Sequence, residues 1–150
     1  MQIRQLLHKE HQKVLQISER LIESSDRAIK TRQQQLARLR EALLPHMESE
    51  EEFFYPFLLE NCSQRGQVHE AFEEHAAARK VLQDIEGTDV ADESWVPKMR
   101  VLHELLEHHI QEEEGELFEM TSSAVDDRQA RQMGQQFHQI EGRRRQRYAA

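Results

Sequence analysis

The chain has one cysteine, three prolines and five glycines in 150 residues. Cys62, being alone, can form no intrachain disulfide, which fits a reducing compartment and an expected cytoplasmic location. So few glycines and prolines, together with few β-branched residues, disfavour a sheet and favour helix. No apolar run approaches the length of a membrane span, and MQIRQLLHKEHQ at the N-terminus lacks the apolar core of a signal peptide. A basic excess is missing as well. The net charge is −8 with 32% charged residues, which argues against nucleic-acid and anionic-membrane partners. These absences leave one acidic, helical domain with a core of ordinary size.

Apolar positions recur at steps of three and four, and predict four long helices and a shorter fifth. The first spans about 2–24, with Ile3, Leu7, His11, Val14, Leu15 and Ile22 on its inner stripe, and SSD breaks it with Asp26 as a capping candidate. The second spans about 27–60, its stripe running from Leu36 through Leu43, His46 and Glu50 to Phe57, with Pro45 expected to kink or divide it. The third, about 66–86, carries Val68, Phe72, His75, Ala78, Leu82 and Ile85. The fourth, about 94–121, carries Met99, Leu102, Leu106, His109, Glu113, Leu117 and Met120, with Pro97 in its first turn. Short connections imply an antiparallel up-down-up-down four-helix bundle. A further helix over about 126–142 is expected to bury Met133, Phe137 and Ile140, and RRRQR at 143–147 reads as a solvated tail.

Two segments repeat one pattern. HMESEEEFFYP (46–56) and HIQEEEGELFE (109–119) each place an acidic cluster after a histidine and an aromatic residue nine positions on. His11 and His46 are 35 residues apart, and His75 and His109 are 34 apart. Each half of the chain is therefore a helical hairpin with one inward histidine and then an inward His-x-x-x-Glu. Residues four apart share a helix face, so His46 with Glu50, and His109 with Glu113, can reach a common point. The spacing alone carries little weight. With 28 acidic residues in 150, about one histidine in five meets an acid four residues on by chance, and five pairs of this kind occur. Only 46/50 and 109/113 begin on the apolar stripe.

Glutamate is almost never fully buried unless paired. Two glutamates and four histidines are expected inside one small bundle, with no lysine or arginine on the same stripes. Unpaired buried carboxylates cost several kcal/mol each or take up protons, and a bound cation removes that cost. Imidazole and carboxylate without thiolate suit iron or manganese, with zinc still open. Six such residues exceed the needs of one tetrahedral zinc. With both carboxylates bridging, they supply about eight of the roughly twelve positions of two octahedral ions, leaving about four for water, an oxo bridge or a diatomic ligand.

The pattern H…HxxxE…H…HxxxE resembles the hemerythrin-like (HHE cation-binding) family, through KEHQKV around His11, HMESEEEFFYP around His46, EEHAAAR around His75 and HIQEEEGELF around His109. The likeness covers about residues 5–120. It implies a hemerythrin-like bundle over 1–121, with 122–150 as an amphipathic helix and basic tail of the same domain. It also implies two non-haem iron ions, oxo- or hydroxo- and carboxylate-bridged. His11, His46, His75 and His109 would be terminal ligands, with Glu50 and Glu113 as bridges. Oxygen-carrying members have His-x-x-x-His on the third helix, where this chain has Ala71 and Arg79 four residues either side of His75. They also place an aspartate five after the last histidine, the position of Glu114 here. Glu113 fits the helical face better, with Glu114 and its counterpart Glu51 as supports around the ligands. The missing histidine opens a coordination position and shifts the expectation from reversible oxygen carriage to sensing, redox chemistry or labile iron. The ferritin-like alternative uses Glu-x-x-His, and none of the nine histidines has a glutamate three residues before it.

The remaining histidines are expected outside the site: His8 on the surface or supporting His11, His69, His103 and His108 solvated, and His138 uninvolved. Glu10 and Glu74, each just before a candidate ligand, are expected at the surface. Phe53, Phe54 and Phe57 read as core. Three functions follow: a di-iron protein acting on O2, NO or peroxide as sensor or scavenger, an iron storage or delivery protein, and a zinc or metal-free bundle acting through partners. A sensor of this length needs a protein partner for its output. No acid, base or nucleophile outside the metal site stands out for turnover.

Overall fold

The computed structural model describes residues 1–149. Those residues form helices and no strand, arranged as five rods. The first is α1 (Ile3–Glu23). The second joins α2 (Ile29–Ser49) to α3 (Tyr55–Asn61) through a π-helical segment, Glu50–Phe54. The third is α4 (Arg65–Glu86). The fourth joins α5 (Trp95–Glu112) to α6 (Phe118–Ala124) through a second π segment, Glu113–Leu117. The fifth is α7 (Asp127–Gln146). None of these helices is long and apolar enough to cross a membrane.

Local chemistry sets the ends. Gln2 and Gln5 cap α1 reciprocally, and Asp126 and Gln129 do the same for α7, so orphan amides at both starts find acceptors. Asp26 does not cap the second rod, which starts two residues beyond the expected point, at Ile29 after Ala28. Pro45 does not divide that rod either. The α-helix runs through it to Ser49, and the departure from α geometry comes at Glu50.

α1 packs against α2 and α5, α4 packs against α5, and α7 lies against α1 and α2. Buried side chains form two apolar clusters. One contains Val14, Leu43, Ala78, Leu82, Trp95 and Leu106. The other contains Leu7, Phe54, Ala71, Leu117, Met133 and Phe137. On every one of the first four rods a histidine falls between the two clusters, so a polar layer divides the core. Phe54 is fully buried as expected, while Phe53 and Phe57 are half-buried at its edge.

The fifth rod is longer than its sequence suggests. It continues through Gln146, so most of RRRQR is helix and not a loose tail, with Arg143, Arg145, Gln146 and Arg147 exposed and Arg144 half-buried. Arg144 pairs with Glu52 at 3.0 Å and Glu48 at 3.5 Å, and Tyr148 donates to Glu48 at 2.6 Å. These contacts supply the helix-ending basic residues with acids on the second rod. Ile140 is half-buried, and Glu141 takes the buried position beside it. Gly134 admits the chain start: a Cβ there would lie 2.1 Å from the Met1 carbonyl oxygen.

Candidate metal centre

Each π segment begins at a glutamate four residues after a histidine. The Glu50 amide bonds to the carbonyls of His46 and Met47, and the Tyr55 amide bonds to Glu50 O. The Glu113 amide bonds to His109 and Ile110, and the Phe118 amide bonds to Glu113 O. In such a turn residues i and i+5 replace i and i+4 as stacked neighbours, and turns of this kind concentrate at functional sites. Tyr55 is thereby carried round toward the inward face, where regular α-helix would turn it aside.

The structure brings together all six residues singled out in the sequence. His11, His46, Glu50, Glu113 form one buried group of donor atoms, and Glu50, His75, His109, Glu113 form a second. The two groups share both glutamates, whose exposures are 0% and 1%. His46 Nε2 and His75 Nε2 each lie 3.2 Å from Glu50 Oε1. His109 Nε2 lies 3.1 Å from Glu113 Oε2, and His11 Nε2 lies 3.4 Å from Glu113 Oε1. No lysine or arginine enters this layer. Glu113 faces inward, whereas Glu114 stands outside and bonds His11.

An outer ring surrounds these residues: Glu114 and Glu51, expected as supports, are part of it, and sequence reasoning missed Glu10 and Glu74. Each of the four histidines presents Nδ1 to a carboxylate: His11 to Glu114 at 2.7 Å, His46 to Glu10 at 2.7 Å, His75 to Glu51 at 2.8 Å and His109 to Glu74 at 2.7 Å. Glu10 and Glu74 are therefore not surface residues; they are half-buried, each holding the histidine of the next rod. The ring closes on itself. The first rod's glutamate holds the second rod's histidine, the second holds the third's, the third holds the fourth's, and the fourth holds the first's. A carboxylate at Nδ1 requires the proton there and turns Nε2 inward as a bare lone pair, the arrangement that orients histidine toward a metal.

Tyr55 was also missed as a site residue. Its hydroxyl lies 2.6 Å from Glu113 Oε2, 3.1 Å from His75 Nε2, 3.3 Å from His109 Nε2 and 3.4 Å from Glu50 Oε1. The available signal was the aromatic residue nine positions after each repeat histidine: Tyr55 in the first copy, Phe118 in the second. Among the other histidines, His8 is exposed and bonds Glu114 at 2.8 Å, and His69, His108 and His138 are exposed. His103 is not solvated as expected. It is half-buried, with Nδ1 2.6 Å from Ser18 Oγ, because the α1–α5 contact covers it.

The donor set has more lone pairs than protons. One phenolic hydrogen cannot serve four acceptors, and His75 Nε2 faces His109 Nε2 across 3.1 Å. On the other side His11 Nε2, Glu50 Oε2 and Glu113 Oε1 are buried with no partner in hydrogen-bond geometry. Such atoms are costly unless a cation takes them up. Protons are one such cation. Burial disfavours charged His46 and His109, yet the Glu50 charge and the Glu10 bond raise His46 well above its ordinary value, and bonds to Glu113 and Glu74 raise His109 to about 10. Burial likewise favours a neutral Glu113, but the close Glu50, His109 and His11 groups hold it well below the usual carboxylate range. Mixed imidazole and carboxylate donors in two groups sharing two carboxylates fit a pair of metal ions in place of those protons.

A family model, the hemerythrin HHE cation binding domain, matches residues 2–121. No curated protein matches the chain in sequence. Among solved structures, the crystal structure of a hemerythrin HHE cation binding domain-containing protein from Mycobacterium kansasii superposes with a TM-score of 0.85. That match covers 97% of this chain and 88% of the other at 17% identity, a likeness of fold. With its polar layer of buried histidines and glutamates and the match over residues 2–121, the chain belongs to the hemerythrin HHE cation-binding domain family.

Proposed function

We propose that this is a non-haem di-iron protein that binds or reacts with O2, NO or peroxide, as a sensor or scavenger in the cytoplasm. The four long rods then form an antiparallel up-down-up-down bundle over residues 1–121, with 122–150 closing one side of the same domain. The observation that carries the reading is the pair of buried donor groups sharing Glu50 and Glu113, with inward atoms that nothing in the chain satisfies. His11 and His46 would hold one ion and His75 and His109 the other, with both glutamates shared and the Tyr55 hydroxyl as a further donor to the second. Iron bound there would supply redox-active open positions for a small diatomic ligand.

The chain's own residues do the rest. The ring of Glu10, Glu51, Glu74 and Glu114 fixes each imidazole and its tautomer. Phe54, Leu7 and Leu117 keep the layer dry on one side, and Leu43 and Leu106 on the other. A water-poor site strengthens every electrostatic contact inside it.

The test is metal content of the purified protein by plasma mass spectrometry, before and after anaerobic iron loading, followed by absorption spectra of the reduced form under O2 or NO. Close to two iron per chain and a gas-dependent spectrum are expected. Zinc alone, or no retained metal, overturns the di-iron reading, and a spectrum unmoved by either gas overturns the ligand reading.

A further inference from the structure

The fifth rod reaches the site through Phe137, whose ring stands edge-on to His46 at 6.2 Å, and through Glu141. Glu141 is 0% exposed, on a helix whose other buried positions are Ala130, Met133, Gly134 and Phe137. It groups with Glu10 and His46, their ligating atoms all within 4.8 Å of one another. Arg145, one turn on, brings Nη2 to 2.9 Å from Oε1 of Glu141 and 3.7 Å from Oε2 of Glu10. Neither oxygen of Glu141 has a partner in hydrogen-bond geometry.

An acid buried against a second acid is a cost to the fold, and an apolar side chain would fill this position without it. Local rules broken in this way mark functional positions. The other ring carboxylates differ. Glu51 takes two bonds from Arg79, at 2.9 and 2.6 Å. Glu114 faces His8 and Glu74 faces His108, both exposed. Only Glu10 is backed by a carboxyl shut off from solvent.

We propose that Glu141 is a positioning residue for the metal centre: from the fifth helix it holds the Glu10 carboxylate in place and so fixes the orientation and donor strength of His46. The inference rests on the reading of His46 as a metal ligand. Arg145 Nη2 stands between the two carboxyl groups, 2.9 Å from Glu141 and 3.7 Å from Glu10, so Glu141 anchors the guanidinium against the Glu10 carboxylate. An amide oxygen keeps an acceptor for Arg145 and an alkyl group does not. The role also gives the fifth helix a task beyond covering α1 and α2.

The experiment compares the full-length protein with Glu141→Gln and Glu141→Leu. Each is loaded anaerobically with iron, challenged with a chelator, and melted separately without metal. Glu141→Leu is expected to release about half of its iron roughly tenfold faster or more, the usual effect of removing such a support. Its metal-free form is expected to melt no lower than the parent, and Glu141→Gln is expected to keep the parent's release rate. Parent-like iron release from Glu141→Leu overturns the proposal. So does failure of that variant to fold, or a fall in melting temperature that tracks its iron loss, since the acid would then serve the fold. If the parent itself retains no iron, the ligand reading fails first and this inference fails with it.

Discussion

Tyr55 Oη lies 2.6 Å from Glu113 Oε2, joining the second and fourth rods across the centre of the site. Phe118, its counterpart in the second repeat, has no hydroxyl to offer, so the two halves of the inner site differ here. Burial, and then the charges of Glu113 and Glu50, push the Tyr55 phenol well above its ordinary pKa in the metal-free protein, where it serves as a donor. Tyr55→Phe takes that donor from a buried carboxylate and is expected to lower metal-free stability by about 1–3 kcal/mol. In iron-loaded protein it should also remove the visible absorption that a phenolate gives on ferric iron. Melting curves and absorption spectra check both, and an unchanged spectrum would exclude Tyr55 as a donor to the metal.

The closed ring of glutamates makes a second expectation. Replacing any one of Glu10, Glu51, Glu74 or Glu114 with alanine frees one imidazole to rotate or change tautomer. Metal affinity is expected to fall about 10–100-fold for each. Arg79→Ala leaves Glu51 in place and should cost less, since it removes only the two bonds behind that carboxylate. Competition with a chelator of known affinity ranks the five variants. Equal affinities for Arg79→Ala and Glu51→Ala would mean that Glu51 acts only as the partner of Arg79.

The inner site was legible because burial leaves a periodic trace. His11, His46, His75 and His109 fall on apolar stripes, and a glutamate on the same stripe is improbable without a partner. The ring was not legible by that logic. Glu10 and Glu74 each sit one residue before a ligand, off the stripe, and reach their partners on a neighbouring rod. Side-chain pairing across helices leaves no mark at the spacing of one helix. Tyr55 was hidden for a different reason: regular helix turns it away from Glu50, and only the π segment brings it in. The docking of Arg144 was not legible because its partners, Glu48 and Glu52, lie nearly a hundred residues away.

Gly134 tests how the fifth helix docks. Alanine is favoured over glycine inside a helix by about 1 kcal/mol. At Gly134 the added carbon would meet the Met1 carbonyl oxygen at 2.1 Å and Ile3 N at 3.1 Å, and backbone cannot swing aside as a flexible side chain can. Gly134→Ala is therefore expected to destabilise by about 1–3 kcal/mol. Gly142, on the same helix, has nothing within 4 Å of the point a Cβ would occupy. Gly142→Ala should be neutral or stabilising by up to about 1 kcal/mol. Denaturant melts of the pair check the contrast. Two stabilised variants would show that the chain start does not pack on this helix.

The metal-free protein should be most stable in mildly acidic solution. Despite burial, hydrogen bonds to Glu113 and Glu74 raise His109 to about 10, and His11 and His46 are raised by their own carboxylates. A group raised in the folded state contributes stability that is complete below its unfolded value, 6.5 for histidine, and is lost as pH climbs through the folded one. Burial and the neighbouring Glu10 carboxylate likewise raise Glu141 to about 8, so its contribution is lost between 4.5 and 8. In the opposite sense, Glu10 and Glu51 are lowered to about 2. There burial is outweighed by bonds to His46, and to His75 and Arg79, so their contribution is present above 4.5 and lost as pH falls toward 2. The optimum therefore lies between about 4.5 and 6.5, and the melting temperature should fall steadily from about pH 6.5 to 10. Bound metal takes the place of the histidine protons, so loading releases protons and strengthens as pH rises. The loaded protein should accordingly lose most of the alkaline decline. Melting curves of both forms across that range decide it. A metal-free melting temperature that holds steady or rises above neutrality would mean the histidines are not protonated in the folded chain, and that something other than protons balances Glu50 and Glu113.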